Sequence, residues 1–252
     1  MFAFIRGWTD VDRTTRANVR LGAFLALVAG ATNAGGFLAV GQYTSHMTGL
    51  LSAVADQLVL GHVAVAVAAA GAILAFVGGA MTTAVLVNWG LRRGLASAYG
   101  LPLLLEAAAL LVFGVFGASI GLFAPLFVPL TVVLLCFIMG LQNAVITKIS
   151  RAEIRTTHVT GLVTDIGIEL GKLLYINPKG HPQPVLANRQ RLRIHGLLVA
   201  CFFTGAVAGA LGFKHAGFVS TVPLAIGLCL VTLRPVARDL RRRWAGGPGA
   251  SA

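Results

Sequence analysis

The sequence predicts an all-α integral membrane protein of six transmembrane helices plus two short re-entrant half-helices, arranged as inverted repeats; eight full spans are the alternative. Three observations lead there. The first is composition: 57% of the 252 residues are apolar and 11% charged, with a mean hydropathy of +0.84, against about 25% charged in a soluble domain. The second is a heptapeptide that occurs twice, Thr44-Ser45-His46-Met47-Thr48-Gly49-Leu50 and Thr156-Thr157-His158-Val159-Thr160-Gly161-Leu162, each after an Asn-Ala pair, Asn33-Ala34 or Asn143-Ala144. The third is where the positive residues fall between the apolar segments.

Apolar segments run approximately over residues 20–42, 46–60, 62–89, 100–121, 125–147, 158–171, 194–213 and 216–233. Backbone amides at hydrocarbon depth need internal partners, so each segment is expected to be helical. The segments 46–60 and 158–171 reach only about 22 and 21 Å at 1.5 Å per residue, against a hydrocarbon core of about 30 Å. Both short segments open with Thr-x-His-x-Thr-Gly. The N-terminus imitates a signal peptide, with Arg13, Arg16 and Arg20 before an apolar run from Leu21 to Ala29. Cleavage is not expected, because the polar leader is long and the site would fall on the Asn-Ala element that recurs at Asn143.

Charge separates the two topologies. With the N-terminus inside, eight crossings put Arg92, Arg93, Lys148, Arg151, Arg155 and Lys214 outside, a division of 14 positive residues to 6, whereas six crossings leave only Lys214 outside, 19 to 1. The positive-inside rule favours the second. Each half then holds three crossings and one re-entrant segment. Three is odd, so the second half is inserted upside down and the two motifs dip into the membrane from opposite faces. Residues 1–252 form a single membrane domain with repeats at 20–121 and 125–233 and cytoplasmic tails at 1–19 and 234–252. Trp89 and Tyr99 beside Arg92 and Arg93 read as interfacial aromatics. The stretch Asn177 to Arg193, with three prolines, reads as the longest cytoplasmic loop. Arg238, Arg241, Arg242 and Arg243 read as a basic anchor, and the last residues, Gly-Gly-Pro-Gly-Ala-Ser, as disordered.

The net charge of +12 invites a nucleic-acid reading, but the cations sit between apolar segments and at the chain ends, so membrane topology accounts for them and no nucleic acid is expected. Cys136, Cys201 and Cys229 each read as a small buried side chain inside an apolar run.

Thr44 or Ser45, and Thr156 or Thr157, are placed to cap the short helices. Gly49 and Gly161 permit close backbone approach, and His46, Thr48, His158 and Thr160 supply donors and acceptors around the helix starts. Two opposed helix N-termini favour an anion or the negative end of a dipole. Asn33, Gln142 and Asn143 are primary amides inside apolar segments and need partners there. Asp56, Glu106, Asp165 and Glu169 are the carboxylates in or beside these segments. Asp165 is the candidate for proton coupling, one turn into the second short helix, with Glu169 a further turn along the same face. The substrate-binding candidates are therefore Asn33, His46, Thr48, Gly49, Gln142, Asn143, His158, Thr160 and Gly161. Packing by small residues is the plainer reading of each glycine and threonine singly; recurrence of the set in register is what favours a site.

Gly117-Ala118-Ser119-Ile120-Gly121 matches G-x-S-x-G, but at the end of an apolar span rather than on a strand-to-helix elbow. No H-E-x-x-H, C-x-x-C or phosphate-loop motif occurs, and the six histidines lack metal-ligand spacing, so no cofactor and no metal are expected. His46 and His158 would approach each other only if the half-helices meet.

The Asn-Ala then Thr-Ser-His-Met-Thr-Gly of the first half, with Gly140-Leu141-Gln142-Asn143-Ala144 and Arg155-Thr156-Thr157-His158-Val159-Thr160-Gly161 of the second, resembles the YoaK-type bacterial membrane proteins, a family of unassigned function. The resemblance covers about residues 20–235. It implies Asp where this chain has Asn33, Asn where it has Leu50, and often Tyr where it has His158. The first departure removes a charge that relatives could use to bind a cation or proton.

The leading expectation is a bacterial inner-membrane transporter or channel for a small anionic or polar solute, not an enzyme, with both termini cytoplasmic and with the lipid bilayer and that solute as partners; a homo-oligomer is compatible with it. The alternatives are a non-transporting scaffold or sensor whose 177–193 loop binds a partner, and an intramembrane hydrolase using Ser119.

Overall fold

The computed structural model describes residues 8–11, 13–117, 124–151, 154–178 and 182–245. Ser119 and the last residues from 246 onward lie outside these. Eight α-helices follow in order among the described residues: α1 Thr15–Val40, α2 Met47–Val59, α3 Val63–Arg92, α4 Leu101–Gly117, α5 Ala124–Ser150, α6 Val159–Leu174, α7 Arg189–Ala216 and α8 Thr221–Ala245, with a 3-10 turn, Gly217–Ser220, before the last. Thr14 caps α1 by accepting from the Ala17 N–H. Gly41, at φ 76°, ends the helix with its N–H donating to the Phe37 carbonyl, a left-handed conformation that glycine adopts without strain. Four helical stretches, Thr15–Val40, Val63–Arg92, Val128–Ser150 and Arg189–Arg242, are long and apolar enough to cross a membrane. The fold is that of a multi-pass helical membrane protein.

Two parallel helix pairs form the centre. α1 lies on α7 and α3 on α5. Lipid tails are as apolar as leucine, so helices in a membrane associate through close van der Waals packing, and small residues permit it. A Cβ on Gly30 would collide with the Phe202 carbonyl oxygen, and one on Gly205 with that of Leu27. In the other pair a Cβ on Gly140 would meet the Phe76 oxygen, and one on Gly79 that of Phe137. These are the same contacts twice. A shift of 110 residues carries α1 onto α5, and one of 126 carries α3 onto α7. The shifts turn Gly30 against Phe202 into Gly140 against Phe76, and Leu27 against Gly205 into Phe137 against Gly79. A third contact follows the rule with different chemistry. Gly209 lies against the Ala31 oxygen, whereas Thr83 at the matching place donates its hydroxyl to the Leu141 oxygen at 3.0 Å.

α1 also crosses α5, with Gly36 opposite Leu135 and Gly22 opposite Ile146. α4 and α8 pair antiparallel, Gly100 facing Thr232 and Gly114 facing Thr221. The short helices lie outside this core, α2 along α3 and α6 along α7. The outer face of α3 exposes Val67, Leu74, Met81 and Val85, as lipid-facing helices do.

One end of the bundle collects the basic segments. The Arg13 guanidinium stacks over Tyr99 at 4.1 Å, Asp10 faces Arg238 at 3.5 Å, and Lys148 donates to the Asn88 amide oxygen at 3.3 Å. Asp239 accepts from the N–H groups of Ala96 and Ser97 and from the Ser97 hydroxyl at 2.6–2.9 Å. These contacts join the starts of α1 and α4 with the ends of α3, α5 and α8. At the other end Phe113, Phe213 and Phe218 pack with ring centroids 5.4–5.9 Å apart. α2 therefore connects two helix ends at the aromatic end, and α6 connects two at the basic end. Arg93 stacks on Trp89 at 4.9 Å, so both aromatics that flank Arg92 and Arg93 are engaged by arginines.

One sequence expectation about packing fails. Cys136 is buried, but Cys229 is exposed and Cys201 half-buried, all three as free thiols. In lipid an apolar run does not imply burial inside the protein, since the outer face is apolar too.

Candidate functional site

The two heptapeptides are built alike. The Asn33 amide oxygen accepts from the Ser45 N–H at 3.2 Å and the Ser45 hydroxyl at 2.9 Å. The Asn143 oxygen accepts from the Thr157 hydroxyl at 2.7 Å, and its NH2 donates to the Met139 carbonyl at 2.8 Å. Each asparagine thus ties its long helix to the turn that precedes a short one. Each histidine follows the tethered hydroxyl residue directly, 13 and 15 residues after its asparagine.

The expected caps are not made. His46 and His158, not the hydroxyl residues, hold the N-cap positions, and neither helix start has a side-chain cap hydrogen bond. Ser45 and Thr157 are committed to the asparagines, and the Thr44 and Thr156 hydroxyls are fully buried without a hydrogen-bond partner. The first-turn N–H groups of α2 and α6 consequently keep their positive character. The imidazoles of His46 and His158 lie over Gly49 and Gly161, where a Cβ would strike the ring. The His-x-x-Gly spacing makes room for the histidine. Thr48 and Thr160 are exposed beside them.

Four buried polar side chains around these turns lack partners: Thr32, Thr44, Gln142 and Thr156. They form two equivalent pairs. Thr32 precedes Asn33 as Gln142 precedes Asn143, and Thr44 matches Thr156. Thr32 lies one turn before Gly36 and Gln142 one turn before Ile146, on the faces where α1 and α5 cross. A buried polar group without a hydrogen bond costs about 1–3 kcal/mol, so four at matched positions are a concentrated penalty. Gln142 was legible from its amide, and Thr44 and Thr156 stood out only as cap candidates; Thr32 was not legible, because a threonine in an apolar helix is ordinary.

The acidic residues divide. Asp165 accepts from Arg191 Nη2 at 3.1 Å and stands 3.6 Å from His195 Nδ1. Glu169 bonds the Lys172 ammonium at 2.8 Å and the Asn188 N–H at 2.6 Å, while Asn188 caps α7 through the Arg191 N–H. Asp165 and Glu169 share a face as expected, but Glu169 serves to anchor the start of α7. Asp56 is exposed on α2. Glu106 is fully buried on α4 with neither oxygen bonded.

A pocket of about 410 Å³ opens at the start of α6, lined by Arg155, His158, Thr160, Gly161, Leu162, Thr164, Asp165, Arg191 and His195. It gathers four of the sequence candidates, three from the second motif together with Asp165; His46 and Asn33 are not on its wall. His195, Arg155 and Arg191 were missed as site residues: His195 and Arg191 because their partner, Asp165, lies on another helix, and Arg155 because it stands just outside the repeated heptapeptide. Among the described residues no group of three or more His, Cys, Asp or Glu side chains is arranged to hold a metal ion.

The chain belongs to DUF1275, a family of proteins of unknown function whose family model matches residues 21–234. No curated protein and no solved structure matches it.

Proposed function

We propose that this DUF1275 chain is a transporter or channel for a small polar solute in a bacterial cytoplasmic membrane. In this reading α1, α3, α4, α5, α7 and α8 cross, and α2 and α6 are re-entrant half-helices of an inverted repeat. The observation that carries it is the set of equivalent, buried, unpartnered groups, Thr32 with Gln142 and Thr44 with Thr156, beside two helix starts each tethered by a hydroxyl to an asparagine oxygen. Packing gains nothing from such groups, whereas a polar solute passing between α1 and α5 would pair with them.

The topology finds support in the lengths and the ends. At 13 and 16 residues, α2 and α6 span about 20 and 24 Å, short of a hydrocarbon core of about 30 Å; α4, with 17 described residues, is counted as crossing because it runs from the basic end at Gly100 to the aromatic end at Phe113. Each joins two helix ends on one side of the bundle. The basic end then faces the cytoplasm, and Lys214 is the cation at the other. Asn33, His46, Thr48, Gly49, Gln142, Asn143, His158, Thr160 and Gly161 line the path, and Asp165 couples a proton through its contact with His195.

The test is flux into proteoliposomes loaded with folded, purified protein. Saturable uptake of a small polar solute, reduced at least ten-fold by Gln142→Leu with thermal stability retained, is expected. Uptake unaffected by Gln142→Leu and by Asn143→Leu sinks the reading and leaves a scaffold in which the polar groups only hold helices together.

A further inference from the structure

The two halves repeat their backbone contacts closely, but the charge at the starts of their short helices does not repeat. A shift of 112 residues carries α2 onto α6, with His46 on His158 and Gly49 on Gly161. Under that shift, and the 126 that relates α3 to α7, the chargeable residues of the α6 pocket other than His158 have uncharged counterparts. Arg155 corresponds to Tyr43, Asp165 to Ala53, Arg191 to Val65 and His195 to Ala69. Even the hinge into the next long helix follows this rule. Glu169 bonds Asn188 in the second half, and Gln57 bonds His62 at 2.8 Å in the first. The symmetric scaffold therefore carries a charged vestibule on one side only.

We propose that the α6 pocket binds a small oxyanion, a carboxylate or a phosphate. The inference rests on the reading of the α6 start as a solute site and names the chemistry of its ligand and the face from which it enters. Three features, drawn from α6, the loop before it and α7, converge there. The uncapped first turn of α6 presents N–H groups with the positive end of the helix dipole. Arg155 and Arg191 border the pocket from the loop and from α7, and Arg155 has no ion-pair partner among the described residues. His195 lies on the same wall, 5% exposed, with Nδ1 lacking a hydrogen-bond partner. Asp165 takes one N–H of Arg191 out of the five that a guanidinium offers. That single contact fixes the fork while leaving donors for a planar oxyanion. With two arginines against one carboxylate the pocket is net positive.

The probes are inorganic phosphate and acetate, titrated calorimetrically into the full chain in phosphatidylcholine nanodiscs at fixed ionic strength. At least one of them is expected to bind, and Arg155→Gln and Arg191→Gln should each weaken it about ten-fold. Arg16→Gln, an exposed cation at the same end, should leave it unchanged. Nanodiscs containing phosphatidylglycerol separate the two sources of oxyanion. If phosphate binding is lost there, a lipid headgroup fills the site; if it persists, the ligand is soluble. Absence of binding by both probes in phosphatidylcholine, or an equal loss in Arg16→Gln, overturns the proposal. Oxyanion binding without flux of any solute would refute the transporter and leave this site standing; flux of an uncharged solute that neither probe binds or inhibits would do the reverse.

Discussion

Gly161 and Gly49 show how one missing methyl positions a functional side chain. The atom that a Cβ would strike belongs to the tip of a mobile histidine rather than to backbone, so the ring can swing away at little cost. Gly161→Ala is therefore expected to change the melting temperature by less than about 1 kcal/mol equivalent while reducing flux several-fold, a split that thermal unfolding and a proteoliposome assay read together. The opposite split is expected at Glu106, a fully buried carboxyl with two unbonded oxygens on α4, where Leu103, Ala107 and Leu110 are buried too. Replacing it by leucine, of similar volume, removes a buried unpaired polar group. Glu106→Leu should stabilise the protein by about 1–3 kcal/mol, measured by unfolding in detergent; destabilisation would mean the carboxyl has a partner in the working protein.

Among elements, the glycine interfaces decide stability. Gly140 and Gly30 each lie against a carbonyl of the partner helix, so added volume must separate two backbones. Gly140→Ala should cost about 1–3 kcal/mol, whereas Gly171→Ala on α6, with open space around it, should gain about 0.5–1 kcal/mol from helix propensity. Elements were the most legible part of the sequence. All eight apolar segments became helices, with ends displaced by a few residues except at α8, which runs on through the basic residues to Ala245, since arginine is a good helix former. The pairing of those helices was not legible. Nothing in the apolar pattern of α1 names α7 as its partner, because a glycine facing lipid and a glycine facing a carbonyl are identical in sequence. The candidate site was half legible for a related reason. Repetition exposed Asn33, His46, Asn143 and His158, but Arg191 and His195 belong to the pocket through the α6 to α7 contact alone.

Over the whole molecule, the basic end is a latch made of chain termini and loops. Burial by itself would raise the Asp239 carboxyl, but the Ser97 hydroxyl, the Ala96 and Ser97 N–H groups and nearby Arg242 outweigh it and hold the group below its ordinary value of 3.8. A carboxyl lowered in the folded state adds stability above that value and loses it as pH falls through the folded value. The stability gap between the native chain and Asp239→Asn should accordingly be present at neutral pH and close as the pH drops below about 4. Topology can be read on the same scale by cysteines introduced into a chain lacking Cys136, Cys201 and Cys229. Labels at Tyr43 and Leu60, which bracket α2, should both react from outside, and labels at Arg155 and Ile176, which bracket α6, both from the cytoplasm. Reaction of both pairs from opposite faces would restore eight crossings, and of one pair alone would overturn the six-crossing reading.

The exchange of partners between halves also sets an order in time. α3 meets α5 through residues separated by about 60 positions, but Gly30 of α1 must wait for Phe202, some 170 residues later. At a synthesis rate of roughly 5–20 residues per second that delay is about 10–35 s. The first helix to enter the membrane thus waits longest for its mate, and for that interval its glycine-lined face is open to whatever insertion factor or lipid stands beside the ribosome.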